Sequence, residues 1–151
     1  MARKSKAHNL EAIAREVFEI TKITWAAGRQ GRQDVTCDLS QTEFLALDAL
    51  QQQDCLTVGE LQRRIRVRPA RMSRIIKHLE TGYHRPLVRC TINREDKRKV
   101  DVHITQAGDK AADTFRRSSI ETTLTAMESL SERDLNDLVR IVRIVRKEME
   151  T

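Results

Sequence analysis

The hydrophobic pattern of this 151-residue chain changes its period at Gly82. Before Gly82, apolar residues recur every three or four positions, which is typical of amphipathic helices. Just after it, segments 87–92 and 100–104 have the apolar runs and alternation of β-strands, and the polar segment 93–99 separates them. The helical period then returns. The sequence therefore predicts a mainly α-helical fold with one small β-hairpin whose tip is charged.

Start and stop signals divide the helical part into one long helix, three short helices and, after the hairpin, two long helices. The first runs from about His8 to Gly28, and the others open at capping residues or at a proline. These openings are the capping box Ser40-Gln-Thr-Glu43, the capping box Thr57-Val-Gly-Glu60, Pro69, Thr105 and Ser131. A hairpin of this size is not stable alone, so we expect it to pack on the short helices.

Positive charge is concentrated in the middle of the chain. The whole sequence has a formal net charge of +6, but Gln62–His103 contains 13 Lys and Arg against four Asp and Glu, which is a net charge of +9. The remainder therefore carries −3. A basic centre between mildly acidic flanks is typical of a polyanion-binding module whose flanking segments have a different function.

The two short helices around Arg66-Val67-Arg68 match a helix-turn-helix, whose second helix enters the DNA major groove. The apolar stripe of this second helix, Met72, Ile75, Ile76 and Leu79, is predicted to face the core. The opposite face combines small residues with long cations that can reach base edges or phosphates. The predicted DNA-binding residues of this recognition helix are Arg68, Ala70, Arg71, Ser73, Arg74 and Lys77.

The charged hairpin beside a helix-turn-helix is typical of a wing, which inserts Arg into a narrow, electronegative minor groove. Asp96 lies two residues before Arg98, and we expect it to orient a neighbouring Arg through a charge-assisted hydrogen bond. The predicted DNA-binding residues of the wing are Arg94, Asp96, Lys97 and Arg98.

Segments Leu61–Gly82 and Arg94–Gly108 together resemble the MarR family of bacterial transcriptional regulators. The resemblance covers essentially the whole chain. Its most specific part is the wing segment with Asp96, Arg98, Val102, Thr105 and Gly108. It implies a homodimeric winged helix-turn-helix repressor, or less often an activator, with Asp96 bracing Arg98. Two departures stand out: Arg68 replaces a small capping residue, and Tyr83–Pro86 lengthens the link before the wing.

The predicted organisation is one MarR-like domain over 1–151. Residues 38–104, approximately, form the winged helix-turn-helix DNA-binding lobe, and the helices over 8–30 and 105–149 form the dimer interface. Both ends of the chain are amphipathic, which suggests a partner surface; pairing of these helices within one monomer is the alternative.

Many proteins of the family bind small aromatic effectors. The residues predicted to form such a site are Phe18, Trp25 and Phe44. Aromatic residues on apolar helix faces also commonly serve only as part of the hydrophobic core.

Other classes of protein find little support in the sequence. The basic start lacks an apolar stretch, so neither a signal peptide nor a membrane anchor is expected, and the predicted location is the cytoplasm. The sequence contains neither a phosphate-binding loop nor a nucleophile elbow, so no enzyme activity is predicted, and no cofactor is predicted either. The four histidines have no metal-ligand spacing with a cysteine, so no metal site is predicted either.

Three cysteines, an odd number, do not form a disulfide framework, and the sequence leaves open whether Cys37, Cys55 or Cys90 is redox-active. Two functional alternatives also stay open: a sequence-tolerant architectural DNA-binding protein, and a winged-helix adaptor that binds proteins instead of DNA. A sequence-specific regulator, predicted to be a repressor, accounts best for the basic residues inside the two motifs.

Overall fold

The computed structural model describes residues 2–30 and 38–150 of the chain, and their side chains over 9–24 and 38–150. The chain divides into a central unit, Gly31–Arg117, and a terminal unit, Met1–Gln30 with Ser118–Thr151. Within the described part, no helix is long and apolar enough to cross a membrane.

Helices dominate the described residues, as the sequence predicts, and a small antiparallel sheet accompanies them. The first helix begins at Ala2, before the predicted start near His8, and ends at Gln30. In chain order the elements are α1 (Ala2–Gln30), α2 (Gln41–Gln51), β1 (Cys55–Thr57), α3 (Val58–Ile65), α4 (Pro69–Thr81), β2 (Val88–Ile92), β3 (Val100–Ile104), α5 (Gln106–Met127) and α6 (Glu132–Met149).

Both predicted capping boxes form. The Ser40 hydroxyl accepts from the backbone N–H of Glu43, while the Glu43 carboxylate accepts from the backbone N–H of Ser40. Thr57 and Glu60 make the same reciprocal pair at the start of α3. Each box satisfies backbone donors that a helix start leaves unpaired, so the local sequence fixes where α2 and α3 begin.

The sheet contains one more strand than predicted. The hairpin strands β2 and β3 form where the sequence places them, but β1 pairs antiparallel with the other edge of β3, giving the order β1-β3-β2. Asp54 turns the chain out of α2 with a left-handed φ of 54° and leads directly into β1. The sequence did not predict β1, because three residues are too few to show an alternating pattern.

The core of the central unit draws apolar side chains from its helices and from the sheet. Burying a Leu or Met side chain contributes about 1.5–3 kcal/mol each, so these residues hold the helix-turn-helix and the wing together. The largest fully buried side chains are Leu39, Leu47, Leu50, Leu61, Met72, Leu79, Val88 and Val102.

A close approach fixes the start of α5 against the segment that enters the wing. A Cβ on Gly108 would lie 2.2 Å from the carbonyl oxygen of Leu87, so only glycine fits there without movement. Thr105 joins the same two segments, because its hydroxyl donates to the carbonyl of Pro86 at 2.7 Å and accepts from the Gly108 N–H at 3.1 Å. The wing is therefore anchored at its base.

The helices of the terminal unit expose long apolar faces. No residue of α6 is buried. Single exposed apolar residues are ordinary, but continuous faces at helical spacing are not. On α1 the exposed large apolar residues are Leu10, Ile13, Val17, Phe18, Ile20 and Ile23, and on α6 they are Leu135, Val139, Ile141, Val142, Ile144, Val145 and Met149.

Candidate nucleic-acid interface

The link between α3 and α4 is as tight as a helix-turn-helix requires. Arg66 ends α3 in the left-handed region, with φ 55° and ψ 45°, and its N–H donates to the carbonyl of Gln62. Pro69 occupies the first turn of α4, where its missing N–H is not needed. Arg68 precedes it without a side-chain capping bond, as the sequence predicts.

The two faces of α4 differ completely in exposure. The predicted apolar stripe is confirmed, since Met72 and Leu79 are fully buried and Ile75 and Ile76 nearly so. The residues predicted to bind DNA all lie on the exposed side; they are Arg68, Ala70, Arg71, Ser73, Arg74 and Lys77. Within the part of the chain that the structure describes, no carboxylate forms a salt bridge with these cations. Their charge is therefore available to a partner.

Hydrogen bonds restrain two of the exposed side chains. Arg71 donates from Nη2 to the Thr42 hydroxyl at 3.1 Å, which connects α4 to α2. The Ser73 hydroxyl donates to the carbonyl of Pro69 at 3.2 Å within its own helix. Arg71 is thus partly positioned before any ligand binds, which reduces the entropy lost when its guanidinium forms further bonds.

A polar network behind α4 was not predicted. Glu43 of α2 is buried, and its carboxylate bonds Nδ1 of His78 on α4 and the Tyr83 hydroxyl, the latter at 3.1 Å. The ring of His78 is directed to Glu43 and lies beside Gly82, where a Cβ would overlap the ring. The network couples the orientation of α4 to α2.

The Glu43 network makes stability depend on pH. Burial alone raises the pKa of Glu43, but hydrogen bonds from His78, Ser40 and Tyr83 outweigh it and hold the pKa below its ordinary value of 4.5. A carboxylate with a lowered folded-state pKa stabilises the protein above its unfolded pKa, and this stabilisation is lost as the pH falls through the folded value.

We therefore expect Glu43→Gln to lower the free energy of unfolding by about 1.5–3 kcal/mol at pH 7, the size of a hydrogen bond to a charged group. The difference from the wild type shrinks as the pH falls below 4.5. Urea unfolding across this range measures it. Glu60→Gln, in the exposed capping box, is the matched control and should cost less; an equal loss in both variants at every pH would contradict the role of the network.

The wing tip is held by its own polar side chains. The Asn93 amide oxygen accepts from the backbone N–H groups of Glu95 and Asp96 at 3.0 and 2.9 Å. Asp96 accepts from the backbone N–H of Arg98 at 3.1 Å and lies 3.8 Å from Nζ of Lys99. Asp96 thus contacts the Arg98 backbone through a charge-assisted hydrogen bond. The exposed side chains of the tip include Arg94, Lys97 and Arg98.

The aromatic residues offered for an effector site have different surroundings. Phe44 stacks on Phe115 with ring centroids 4.4 Å apart, and the Arg116 guanidinium lies 5.7 Å from the Phe44 ring. Phe18 of α1 is 57% exposed. The Trp25 side chain lies outside the described residues. Phe44 therefore contributes to the packing of the central unit.

The two described cysteines lie in surroundings that raise the pKa of each thiol. Burial, followed by the nearby Asp101 and Glu60 carboxylates, raises the pKa of Cys55. Burial and Glu80 raise the pKa of Cys90. Since the thiolate is the reactive form, these surroundings disfavour redox sensing at neutral pH. Cys37 lies outside the described residues.

The sheet also brings together residues that their spacing in the sequence kept apart. Sγ of Cys55 lies 3.8 Å from Nε2 of His103, and the Asp101 carboxylate completes a group of three potential metal ligands. Spacing along the sequence did not indicate this proximity, because the pairing of β1 with β3 creates it.

Comparisons with known proteins agree with this architecture. Residues 39–100 match the family model described as MarR family. None of the curated proteins matches the chain.

Solved structures match it over nearly its full length. A MarR family protein from Bacillus stearothermophilus superimposes with a TM-score of 0.81 at 17% identity, covering 95% of this chain and 97% of that one. MepR, a transcription regulator of the Staphylococcus aureus multidrug efflux pump MepA, superimposes with a TM-score of 0.69 at 18% identity. The match covers 91% of this chain and 96% of MepR. Bordetella bronchiseptica BpsR, whose structure concerns regulation of DNA binding by 6-hydroxynicotinic acid, superimposes with a TM-score of 0.68 at 19% identity. The match covers 92% of this chain and 94% of BpsR.

The helix-turn-helix of α3 and α4, followed by the β2–β3 wing, defines a winged helix-turn-helix protein. Residues 39–100 match the MarR family model, and the chain shares the fold of these solved structures.

Proposed function

We propose that this protein is a sequence-specific regulator of transcription that binds a pseudo-palindromic DNA duplex as a homodimer and represses by occluding a promoter. The main observation in support of the proposal is the difference between the two faces of α4. Its apolar stripe is buried, while every cation on its opposite face is exposed and free of carboxylate partners among the described residues.

The charge distribution supports duplex DNA as the ligand. The segment Gln62–His103, with its net charge of +9, contains both the exposed face of α4 and the wing tip. Lys and Arg that neutralise phosphates release counterions, so binding should weaken steeply as salt is raised. Phosphate contacts position a protein on DNA, and contacts to base edges supply specificity.

The positions along α4 suggest separate roles for its side chains. Residues near the start of a recognition helix meet base edges, which makes Arg71 and Arg74 the candidates for bidentate bonds to guanine. Ala70 and Ser73 let the helix approach the groove closely, and Ser73 can also bond a base or a phosphate. Arg68 and Lys77 lie towards the two ends of this face and are assigned to phosphates.

The wing supplies a second contact, with Arg98 as the proposed minor-groove residue beside Arg94 and Lys97. We expect Arg98→Ala to weaken duplex binding about 5–150-fold, which corresponds to about 1–3 kcal/mol. Fluorescence anisotropy with a labelled operator measures the loss. Glu95→Ala, which removes a charge of the opposite sign from the same loop, should not weaken binding; unchanged affinity for Arg98→Ala would show that the wing does not dock.

The exposed apolar faces of α1 and α6 support a homodimer joined through the terminal unit. Solvent-exposed faces of this extent usually mark an interface with another protein. A two-fold dimer places its recognition helices on half-sites about one helical turn apart, roughly 34–36 Å. The pseudo-palindromic operator follows from this symmetry.

A small aromatic effector is proposed as the signal that releases the DNA, by analogy with the regulation of BpsR by 6-hydroxynicotinic acid. Phe18, Trp25 and Phe44 are the aromatic candidates for its binding. An effector that binds one arrangement of the recognition helices better than the other shifts the population and changes the affinity for DNA. A regulator of this kind acts in the cytoplasm, where its operator is.

Competition binding tests the proposal against its alternatives. A selected operator duplex should displace a labelled one far better than random duplex does, typically by 10³-fold or more for specific regulators. A ratio near one would favour a sequence-tolerant architectural protein that uses the same Arg side chains for phosphates. Absence of duplex binding even at low salt would favour the adaptor that binds proteins.

A further inference from the structure

The outer face of the wing sheet carries a group of metal-binding side chains. Strand β1 pairs with β3 so that Cys55 lies opposite His103 and Thr57 lies opposite Asp101. Cross-strand neighbours and alternate residues of a strand share a face of the sheet, which places Cys55, Asp101 and His103 together. Leu56 and Val102, on the opposite face, are buried in the core.

The distances between the donor atoms suit one ion. The Cys55 sulfur and Nε2 of His103 are 3.8 Å apart, and the donor atoms of all three residues lie within 4.8 Å of one another. Bond lengths of about 2.3 Å for Zn–S and 2.0–2.2 Å for Zn–N and Zn–O place tetrahedral ligand atoms roughly 3.5 Å apart. Small side-chain adjustments therefore suffice, and the strands need not move.

We propose that Cys55, Asp101 and His103 form a binding site for a divalent transition-metal ion of the zinc class. A thiolate, an imidazole and a carboxylate together favour Zn²⁺ or Co²⁺ over Mg²⁺ and Ca²⁺, which prefer sets of oxygen ligands. The negative charge of Asp101 and the nearby Glu60 also favours a cation here. Three protein ligands leave a fourth position for water or another ligand.

Neighbouring side chains support the ligands. The Asn93 amide nitrogen donates to both carboxylate oxygens of Asp101, at 2.9 and 3.1 Å, and so orients that group. Such outer bonds are a common part of metal sites. The Thr91 hydroxyl lies 3.0 Å from Nε2 of His103, and the ion would replace it there. Thr91, Asp101 and His103 line an open groove of about 780 Å³, through which an ion can enter.

The position of the site gives it a structural consequence. An ion bound here links β1, which leads directly into α3 of the helix-turn-helix, to β3, which leaves the wing tip. It would therefore hold the wing and the helix-turn-helix in a fixed arrangement. This inference rests on the sheet register and the donor atoms, and it does not depend on whether the protein binds DNA.

Titration of the metal-free full-length protein with Co²⁺ tests the site. All proteins carry Cys37→Ser, so that this thiol cannot contribute. We expect one Co²⁺ per chain, a thiolate-to-cobalt charge-transfer band in the near ultraviolet, and loss of that band when Zn²⁺ is added. Cys55→Ser should abolish the band, and Asp101→Asn and His103→Gln should each weaken binding at least about tenfold, as expected for removal of a ligand.

Two matched variants serve as controls. Cys90→Ser removes a cysteine from β2 whose partner in the register is the buried Val102, and His84→Gln removes an exposed histidine of the loop before the wing. Both should keep the band and its stoichiometry. Circular dichroism of each metal-free variant checks that it folds. The proposal is overturned if the folded parent protein, which carries only Cys37→Ser, gives no charge-transfer band, or if Cys55→Ser keeps it or Cys90→Ser loses it.

Discussion

Replacing Arg71 and Arg74 together by Ala should reduce affinity for the operator at least about 100-fold, since each bidentate Arg–guanine pair contributes about 1–3 kcal/mol and a dimer presents two copies of each. The preference for operator over random duplex should fall with it. Both side chains are exposed on α4, above a stripe that keeps the helix in place without them. Anisotropy titrations with operator and random duplexes at one salt concentration measure both quantities.

The matched control removes two cations from the same unit but from a different helix. Lys110 and Arg117 of α5 are exposed, so Lys110→Ala with Arg117→Ala changes the net charge equally. That variant should lose little affinity. If it loses as much as the α4 variant, general electrostatic attraction explains binding. If the α4 variant loses affinity equally for all sequences, Arg71 and Arg74 contact phosphates and not bases.

A charge placed on the apolar face of α6 should separate the dimer. Val142 is 53% exposed and lies one or two turns from Leu135, Leu138 and Val145 on one stripe of the helix. Val142→Asp would bury an unpaired carboxylate in the proposed interface, which costs about 3–5 kcal/mol. We expect the dimer dissociation constant to rise at least about 100-fold and operator affinity to fall with it.

Asn136→Asp is the control for this change, because it adds the same charge to an exposed polar position of the same helix. Sedimentation equilibrium should show this variant as a dimer and Val142→Asp as a monomer at micromolar concentration. A wild-type protein that is monomeric at that concentration, or a Val142→Asp variant that stays dimeric, would contradict the proposed interface.

Local signals in the sequence were sufficient to predict the helices that position α4. The capping boxes at Ser40 and Thr57, the proline at Pro69 and the stripe from Met72 to Leu79 are each contained within one helix turn or a few. For the same reason the exposed face of α4 could be predicted, because burial of one stripe of a helix determines the other side.

Features that depend on pairing between distant segments could not be predicted. Strand β1 has three residues and no periodic signal, so its register with β3, and with it the meeting of Cys55 and His103, becomes visible only in the structure. The contact between Glu43 and His78 likewise joins residues 35 positions apart. Asp96 lies near Arg98 as expected, but the folded loop determines that it contacts the backbone.

The most direct test of the central claim is selection of bound sequences from a pool of random duplexes by the purified full-length protein. The account predicts enrichment of one pseudo-palindromic sequence whose half-sites are about one helical turn apart, and loss of that enrichment for the Arg71→Ala, Arg74→Ala variant. A pool that shows no enrichment after repeated rounds, or no retained duplex at low salt, would contradict it.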